Sequence, residues 1–205
     1  MARPPADVGA IRARLLTEAE RMLTETRGRR LVLSELAARI GISQSYAHRF
    51  FATKADLVRE LAARWFKQIE TESAKIAALD LSAGDRLERW VLTLLSLKRD
   101  RYDADPEVFD AYLELAADHM DIVANHAAKL TRDLTAILSD IVPPGDLETT
   151  VAIVEDATML FRVPFNISRF RHRATNTRAK AVVQLLLAGV AAQPAIEEPS
   201  PSRAG

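Results

Sequence analysis

The chain has 205 residues, of which 48% are hydrophobic and 27% charged, a balance that is typical of a globular protein and excludes a disordered one. It contains no cysteine, which excludes disulfide bonds, thiolate catalysis and cysteine-based metal sites. The zero net charge conceals an asymmetry, because residues 1–64 hold 12 Lys and Arg against 7 Asp and Glu, a net of +5, and residues 65–205 hold 16 against 21, a net of −5.

The first predicted elements are a polar, proline-containing arm over residues 1–8, expected to be flexible, and a helix that starts at Gly9. Gly28 suits the C-cap of this helix because it has no Cβ. The apolar residues of the helix recur at spacings of three and four, and they are Ile11, Leu15, Ala19, Met22 and Leu23.

Three further helices follow in the first third of the chain. One of about two turns stops at Gly41, and a short one runs from the N-cap Ser43 through Phe51. A long one begins near Lys54, with Thr53 as its cap.

The remaining sequence is also helical in pattern. Ser82 opens a helix, and Asp105 followed by Pro106 is a strong start signal for the next. The helical pattern then continues to about Ile141 with one break near residues 118–121.

The last part of the chain is marked by the turn sequence of residues 143–146. After this turn, the sequence pattern predicts one helix from Leu147 to about Phe165, a second from Thr175 to Ala192, and a flexible tail over 193–205. With few glycines and no credible strand pair, the chain is predicted to be all-α.

Residues 33–54 place two short helices on either side of a tight turn at Gly41, which is the layout of a helix-turn-helix. Five apolar residues are predicted to lock the two helices together: Leu36, Ala37, Ile40, Ile42 and Ala47. The other face of the second helix carries hydrogen-bonding side chains with almost no negative charge. A helix of this kind enters the major groove and reads base edges. The basic excess of the N-terminal part supports this interpretation, although an excess of five charges also arises by chance.

In this segment the sequence resembles the DNA-binding domain of TetR-family transcription regulators, over residues 9–64. The matching positions, which align without a gap from Gly41 to Leu57, are Leu36-Ala37, Gly41-Ile42-Ser43, Phe50-Phe51, Thr53-Lys54 and Leu57. The resemblance implies a DNA-binding domain over 9–64, followed over 65–192 by a helical ligand-binding and dimerisation domain.

The resemblance and the polar face of the second helix together indicate a set of DNA contacts: Ser34, Ser43, Gln44, Ser45, Tyr46, His48, Arg49 and Lys54. Gln44 and Arg49 are the best candidates for direct contact. Tyr46 either reads a base or packs on the sugar-phosphate wall, and Arg29 with Arg30 forms either part of the surface or an ordinary solvated pair. Ser45, Ala47 and His48 depart from the family pattern, which affects the expected operator sequence more than DNA binding itself.

The last two predicted helices are apolar on two faces. Leu147, Val151, Val154, Thr158 and Phe161 form one stripe and Ile153, Ala157 and Leu160 another; the final helix has Val182, Leu186, Gly189 and Val190 on one side, with Val183 and Leu187 on another. One face is expected to cover the body and the other a second subunit, giving a homodimer that reads a palindromic operator. The alternative is a monomer with a fully buried helix pair.

The resemblance also implies a cavity for a small-molecule effector among the middle helices. Its candidate lining residues are Trp65, Ile69, Trp90, Leu94, Phe109, Tyr112, Met120, Met159 and Phe161. Any one of these large apolar residues is also accounted for as plain core.

His119 and His126, with Glu114, Asp118 and Asp121 nearby, suggest a metal site. However, two histidines seven residues apart on one helix are about 10 Å apart along its axis, too far for one ion. We therefore expect hydrogen-bonded or solvated histidines, and no metal or other cofactor.

Three functions remain. The favoured one is a repressor that a ligand releases from DNA. We expect it in the cytoplasm, since no signal peptide or membrane span is found in the sequence. The second is a DNA-binding architectural or protein-controlled factor without a ligand. The third is an enzyme, which the sequence disfavours because it has neither a glycine-rich phosphate loop nor a His-Glu-x-x-His motif.

Overall fold

The computed structural model describes residues 8–28 and 30–192, and every regular element within them is a helix, which confirms the predicted all-α class. The predicted tails and Arg29 lie outside the described residues, apart from Val8, which begins the first helix. The helices are α1 (Val8–Glu25), α2 (Leu33–Arg39), α3 (Gln44–Ala47), α4 (Lys54–Ala77), α5 (Ala83–Ala104), α6 (Pro106–Ala117), α7 (Met120–Leu138), α8 (Pro144–Ala157), α9 (Met159–Arg162), α10 (Pro164–Arg169) and α11 (Asn176–Ala192).

Short polar residues begin several of these helices, as their sequence positions predict. Ser43 Oγ accepts a hydrogen bond from the backbone N–H of Tyr46, and Thr53 with Asp56 forms a reciprocal capping box at the start of α4. Ser82 caps α5 by accepting a hydrogen bond from the backbone N–H of Asp85, and Asp105 caps α6 ahead of a proline at its first position.

The apolar residues form two separate clusters. The smaller cluster lies among α1 to α4 and includes Leu15, Leu36 and Phe51, together with Tyr112 from α6. The larger cluster lies among α4, α5, α7, α8 and α11 and includes Trp90 and Leu134. We call the part around the first cluster the head and the part around the second the body.

Two helices belong to both the head and the body. Helix α4 has 24 residues, about 36 Å at 1.5 Å per residue, and it contributes Leu57 and Leu61 to the head and Ile69 and Ile76 to the body. Helix α6 contributes Tyr112 to the head cluster and packs against α5 and α7 of the body.

The prediction of one helix from Leu147 to Phe165 is wrong, because this segment forms α8, α9 and the start of α10. Thr158 Oγ1 donates to the carbonyl of Val154 at 2.6 Å, a back-bond that bends helices, and α8 ends at this point. Pro164 has no N–H and disfavours helical backbone at Val163, which separates α9 from α10.

Candidate DNA-binding surface and internal cavity

The turn between α2 and α3 gives the head its predicted helix-turn-helix geometry. Gly41 has a φ of +75°, in the left-handed region that favours glycine, and the backbone N–H of Ile42 donates to the carbonyl of Ala37. Ala47, the last residue of α3, is fully buried on the inner face of this helix. The side of α3 opposite to Ala47 therefore faces outwards.

Six of the eight predicted DNA-binding residues lie in or next to α3, and the other two, Ser34 and Lys54, lie on α2 and at the start of α4. Tyr46 is half-buried, and the other seven are exposed: Ser34, Ser43, Gln44, Ser45, His48, Arg49 and Lys54. Their exposure makes these side chains available to a partner. Ser43 is partly committed to capping α3, so its side chain supports the geometry of the surface as well as its polarity.

Contacts within the surface orient its cationic and aromatic side chains. The guanidinium of Arg49 lies 5.7 Å from the ring centre of Tyr46, and the Tyr46 ring in turn packs edge-on against Phe50 at 5.2 Å. His48 Nδ1 lies 3.3 Å from the carbonyl oxygen of Ala52, which leaves Nε2 for an external partner.

Helix α4 begins at the same surface. Lys54 is its first residue and is exposed. A helix N-terminus with a lysine beside it presents backbone N–H groups and a positive charge, and both favour a phosphate. The surface thus combines hydrogen-bonding groups on α3 with a cationic edge at the start of α4.

The body contains a cavity of about 550 Å³, partly open to solvent, between α4, α6, α7 and the α8–α10 segment. Its lining residues are Trp65, Phe66, Leu113, Ala116, Ala117, Met120, Val123, His126, Ala127, Leu130, Thr131, Glu155, Asp156, Met159, Arg162, Val163, Pro164 and Phe165. This volume and this mostly apolar wall with a few polar groups are typical of small-molecule sites.

Three of the nine residues predicted to line a cavity do so: Trp65, Met120 and Met159. The other six are buried and are absent from the wall: Ile69, Trp90, Leu94, Phe109, Tyr112 and Phe161. The hydrophobic periodicity identified buried faces, but it does not distinguish a face that meets other side chains from one that meets open space.

The polar part of the cavity wall was not foreseen. His126 is buried, stacks on Phe66 with ring centres 4.1 Å apart, and places Nδ1 3.1 Å from Glu70 Oε1. Burial lowers the pKa of His126 to about 4, although the bond to Glu70 acts in the opposite direction. Burial tends to raise the pKa of Glu70, but hydrogen bonds from Lys129 and His126 outweigh it and hold that pKa below its ordinary value.

Arg162 contributes a positive charge to the same wall. Its Nε donates to Thr158 Oγ1 at 2.8 Å and its Nη2 to the carbonyl of Glu155 at 3.1 Å, while the guanidinium lies 5.4 Å from the ring centre of Trp90. No signal in the sequence distinguishes this arginine from a solvated one, since its position depends on the break between α9 and α10.

The histidine and carboxylate residues considered as a metal site do not form one cluster. His126 is hydrogen-bonded to Glu70, and Asp121 pairs with Arg59. Across residues 8–28 and 30–192, no three His, Asp or Glu side chains converge in a way that would hold a metal ion. The same residues include no helix that is both long and apolar enough to cross a membrane.

Comparison with known proteins gives a match over part of the chain. Residues 83–183 match a family model described as "Tetracyclin repressor-like, C-terminal domain". None of the curated proteins matches this sequence.

Several solved structures share the fold. A TetR/AcrR-family transcriptional regulator from Thermobifida fusca superimposes with a TM-score of 0.65 at 14% identity, covering 88% of this chain and 98% of that one. PfmR, a TetR-family transcriptional regulator from Thermus thermophilus, gives a TM-score of 0.54 at 18% identity, with 85% and 97% covered. The multidrug binding protein EbrR, crystallised with imidazole, gives 0.51 at 19% identity, with 91% and 98% covered.

Proposed function

We propose that this chain, which matches a tetracycline-repressor-like C-terminal domain model over residues 83–183 and shares the fold of TetR-family transcriptional regulators, is a dimeric repressor that binds a palindromic operator and is released from it by a small molecule. The observation that carries this proposal is the presence of a polar, cationic helix-turn-helix surface and an apolar cavity in one molecule, joined by shared helices.

In the proposed complex, α3 enters the major groove. Gln44 and Ser45, at its N-terminal end, reach base edges, whereas Arg49, His48 and Lys54 contact phosphates. Arg49 is well placed for this role because its packing against Tyr46 reduces the rotamer entropy that binding would otherwise remove.

The dimer is proposed to form through the outer faces of α8 and α11. Ile153 is 50% exposed on α8, and Leu185 is 74% exposed on α11. Around Leu185, α11 exposes a stripe of small residues that lets a second helix approach closely: Ala181, Ala188, Gly189 and Ala192. The inner face of α11 packs on the body, with Val183 fully buried. An apolar outer face of this kind on a folded body is suited to a symmetric contact with its own copy.

Ligand release is proposed to act through α4 and α6. Trp65 and Phe66, about three turns after Lys54 on α4, line the cavity. On α6, Leu113 lines the cavity and the preceding residue, Tyr112, belongs to the head cluster. A ligand that shifts either helix therefore changes the position of the head, and a coupling of about 1–3 kcal/mol would be typical.

The two other functions receive less support. A DNA-binding factor without a ligand predicts a solid body, whereas the body here contains the 550 Å³ cavity. We also propose that the protein acts by binding and not by catalysis. His126, with its pKa near 4, is engaged with Glu70 and stacked on Phe66, an arrangement that suits a wall residue better than a general base at neutral pH.

The test is a titration on the full-length protein. Its preferred duplex is first selected in vitro from random DNA, and the complex is then challenged with a panel of metabolites while fluorescence anisotropy reports the bound fraction. We expect selection of a palindrome and release by at least one class of compound. No duplex preference at low salt would overturn the DNA-binding proposal, and binding that no compound reverses would favour the ligand-independent factor.

A further inference from the structure

His126 lies between the cavity and an ion pair behind it. Its Nδ1 is 3.1 Å from Oε1 of Glu70, and Lys129 Nζ donates to the other oxygen of the same carboxylate at 2.7 Å. His126 lines the cavity, whereas Glu70 and Lys129 do not. The Nδ1 edge of the ring therefore points away from the cavity, and the opposite edge, which carries Nε2, is the one that reaches the wall.

The contact with Glu70 decides which nitrogen of His126 carries the proton. Although burial tends to raise the pKa of Glu70, hydrogen bonds from Lys129 and His126 hold it below its ordinary value, so this carboxylate only accepts hydrogen bonds at neutral pH. Nδ1 therefore carries the hydrogen. Because burial lowers the pKa of His126 to about 4, the ring holds no second proton, and Nε2 is an unprotonated acceptor.

Nε2 of His126 has no partner in the described part of the chain, since the ring's hydrogen bond uses Nδ1. The described side-chain polar atoms that are both sealed off and without a partner are Glu35 Oε2, Arg86 Nε and Lys98 Nζ, so Nε2 remains accessible. Phe66 stacks on a face of the ring and leaves its edge free. A ligand that fills the cavity removes water from this acceptor, which is costly unless the ligand donates a hydrogen bond in its place.

The other charged and hydroxyl groups of the wall balance one another. Thr131 Oγ1 donates to Glu155 at 2.6 Å, and Glu155 lies 3.9 Å from Arg162 Nη2. Asp156, which is exposed, adds a second negative charge. A ligand with a charge of either sign meets a group that repels it beside each group that attracts it, so the wall favours an uncharged ligand.

We propose that the cavity binds an uncharged, largely apolar molecule with a hydroxyl group, such as a phenol, and that this hydroxyl donates to Nε2 of His126. The rest of the molecule would contact the apolar wall, which includes Phe66, Leu113, Met120 and Leu130. This inference rests on the proposed function, because it names the ligand class of the same cavity. His126 is then a specificity-determining residue of the site.

The test compares phenols with molecules of the same shape in which a methyl group replaces the hydroxyl. Isothermal titration calorimetry at pH 7.5 on the full-length protein measures 4-ethylphenol against 4-ethyltoluene, and 2-naphthol against 2-methylnaphthalene. At least one phenol should bind about tenfold more tightly than its methyl counterpart, the difference typical of leaving a buried acceptor unmatched. Hydrophobicity alone favours the methyl compound, so the order of the two affinities identifies the hydrogen bond.

His126→Phe removes Nε2 and keeps an aromatic ring against Phe66. This variant should lose the preference for the phenol and should bind the methyl compound as wild type does. His172→Phe, the same change at an exposed histidine outside the wall, is the matched control and should keep the preference. A preference that persists in His126→Phe would overturn the inference.

A second measurement uses the wild-type protein. The chain has four histidines, and long-range ¹H–¹⁵N correlation spectra of histidine-labelled protein show which nitrogen of each ring is protonated. His126 should have a protonated Nδ1 and an unprotonated Nε2 at pH 7.5. Adding 4-ethylphenol should move the Nε2 signal upfield, and 4-ethyltoluene should not. A proton on Nε2 in the empty protein, or no response to either phenol, is incompatible with the inference.

The outcomes separate this inference from the proposed function. Equal affinities within both pairs, or tighter binding of 4-ethylbenzoate or 4-ethylbenzylamine than of 4-ethylphenol, overturn the ligand class and leave a ligand-responsive regulator in place. Binding of none of these compounds also overturns it, and the DNA-release titration with the metabolite panel then decides independently whether the protein responds to any ligand.

Discussion

Gly28 lies just after α1 and touches α6, so it is a point of contact between the head and the body. Its φ is +76°, and a Cβ added there would lie 2.0 Å from the Cβ of Ala111. Next to it, Arg27 pairs with Glu107 at 2.9 Å. A side chain at Gly28 would therefore strain the backbone and force α6 away from α1.

The structure predicts different costs for two glycine substitutions. Gly28→Ala should destabilise the protein by about 2–4 kcal/mol, since it adds a steric clash to the strain of a left-handed backbone. Gly41→Ala should cost only about 1–2 kcal/mol, because its φ is +75° but nothing lies within 4 Å of the added Cβ. Urea unfolding at one protein concentration measures both. Ala111→Gly should recover part of the Gly28→Ala loss; equal costs for the two variants would contradict the clash.

At the scale of single helices, α3 separates positioning from sequence reading. Arg49→Ala should weaken binding to all duplexes and lower the slope of log affinity against log salt by about one unit, since one phosphate contact is lost. Gln44→Ala should instead relax preference at one base pair and leave the salt slope unchanged. Anisotropy titrations on the selected duplex and its point variants measure both effects. Identical behaviour of the two variants would contradict the assigned roles.

The contact between α4 and α7 predicts a pH-dependent stability. His126 has a pKa of about 4 in the folded protein, below its ordinary value of about 6.5, so the unfolded chain binds more protons between these limits. The contribution of His126 to the free energy of unfolding is therefore fully present above pH 6.5 and is lost progressively as the pH falls towards 4. The loss amounts to about 3 kcal/mol.

His126→Phe provides the comparison, because a phenyl ring keeps the stacking on Phe66 and does not titrate. The difference in unfolding free energy between wild type and this variant, from urea titrations at a series of pH values, should move in favour of the variant as the pH falls from 6.5 to 4. A difference that stays constant over this range would show that His126 titrates normally in the folded state.

At the scale of the whole molecule, DNA binding depends on the proposed dimer. Leu185→Glu places a charge on the outer face of α11 and should convert the dimer to monomers, since an unpaired charge at the centre of an interface costs several kcal/mol. Operator affinity should fall with it, because two heads on one dimer bind two half-sites together. Analytical ultracentrifugation measures the first effect and anisotropy the second. Val8→Glu, at an exposed apolar residue of α1, is the control for oligomeric state and should remain dimeric; a dimeric Leu185→Glu would place the interface elsewhere.

Much of the head could be predicted because its signals are local. Ser43, Thr53 and Asp105 begin helices through bonds to the residue three positions ahead. Gly41 marks the turn because few other residues adopt its backbone conformation. Such interactions depend on neighbours in sequence, so residue type and spacing are enough to identify them.

The sequence alone determined most of the helices, their buried faces and the polar surface of α3, since periodicity and capping act within a few residues. The tertiary structure decided what those buried faces meet. Trp65 borders open space, whereas Trp90 is enclosed in the core, and no local pattern distinguishes them. It also brought Arg162 and His126, from two separate helices, to the wall of one cavity. Cavities and shared electric fields arise from packing between distant segments, which is why they were not foreseen.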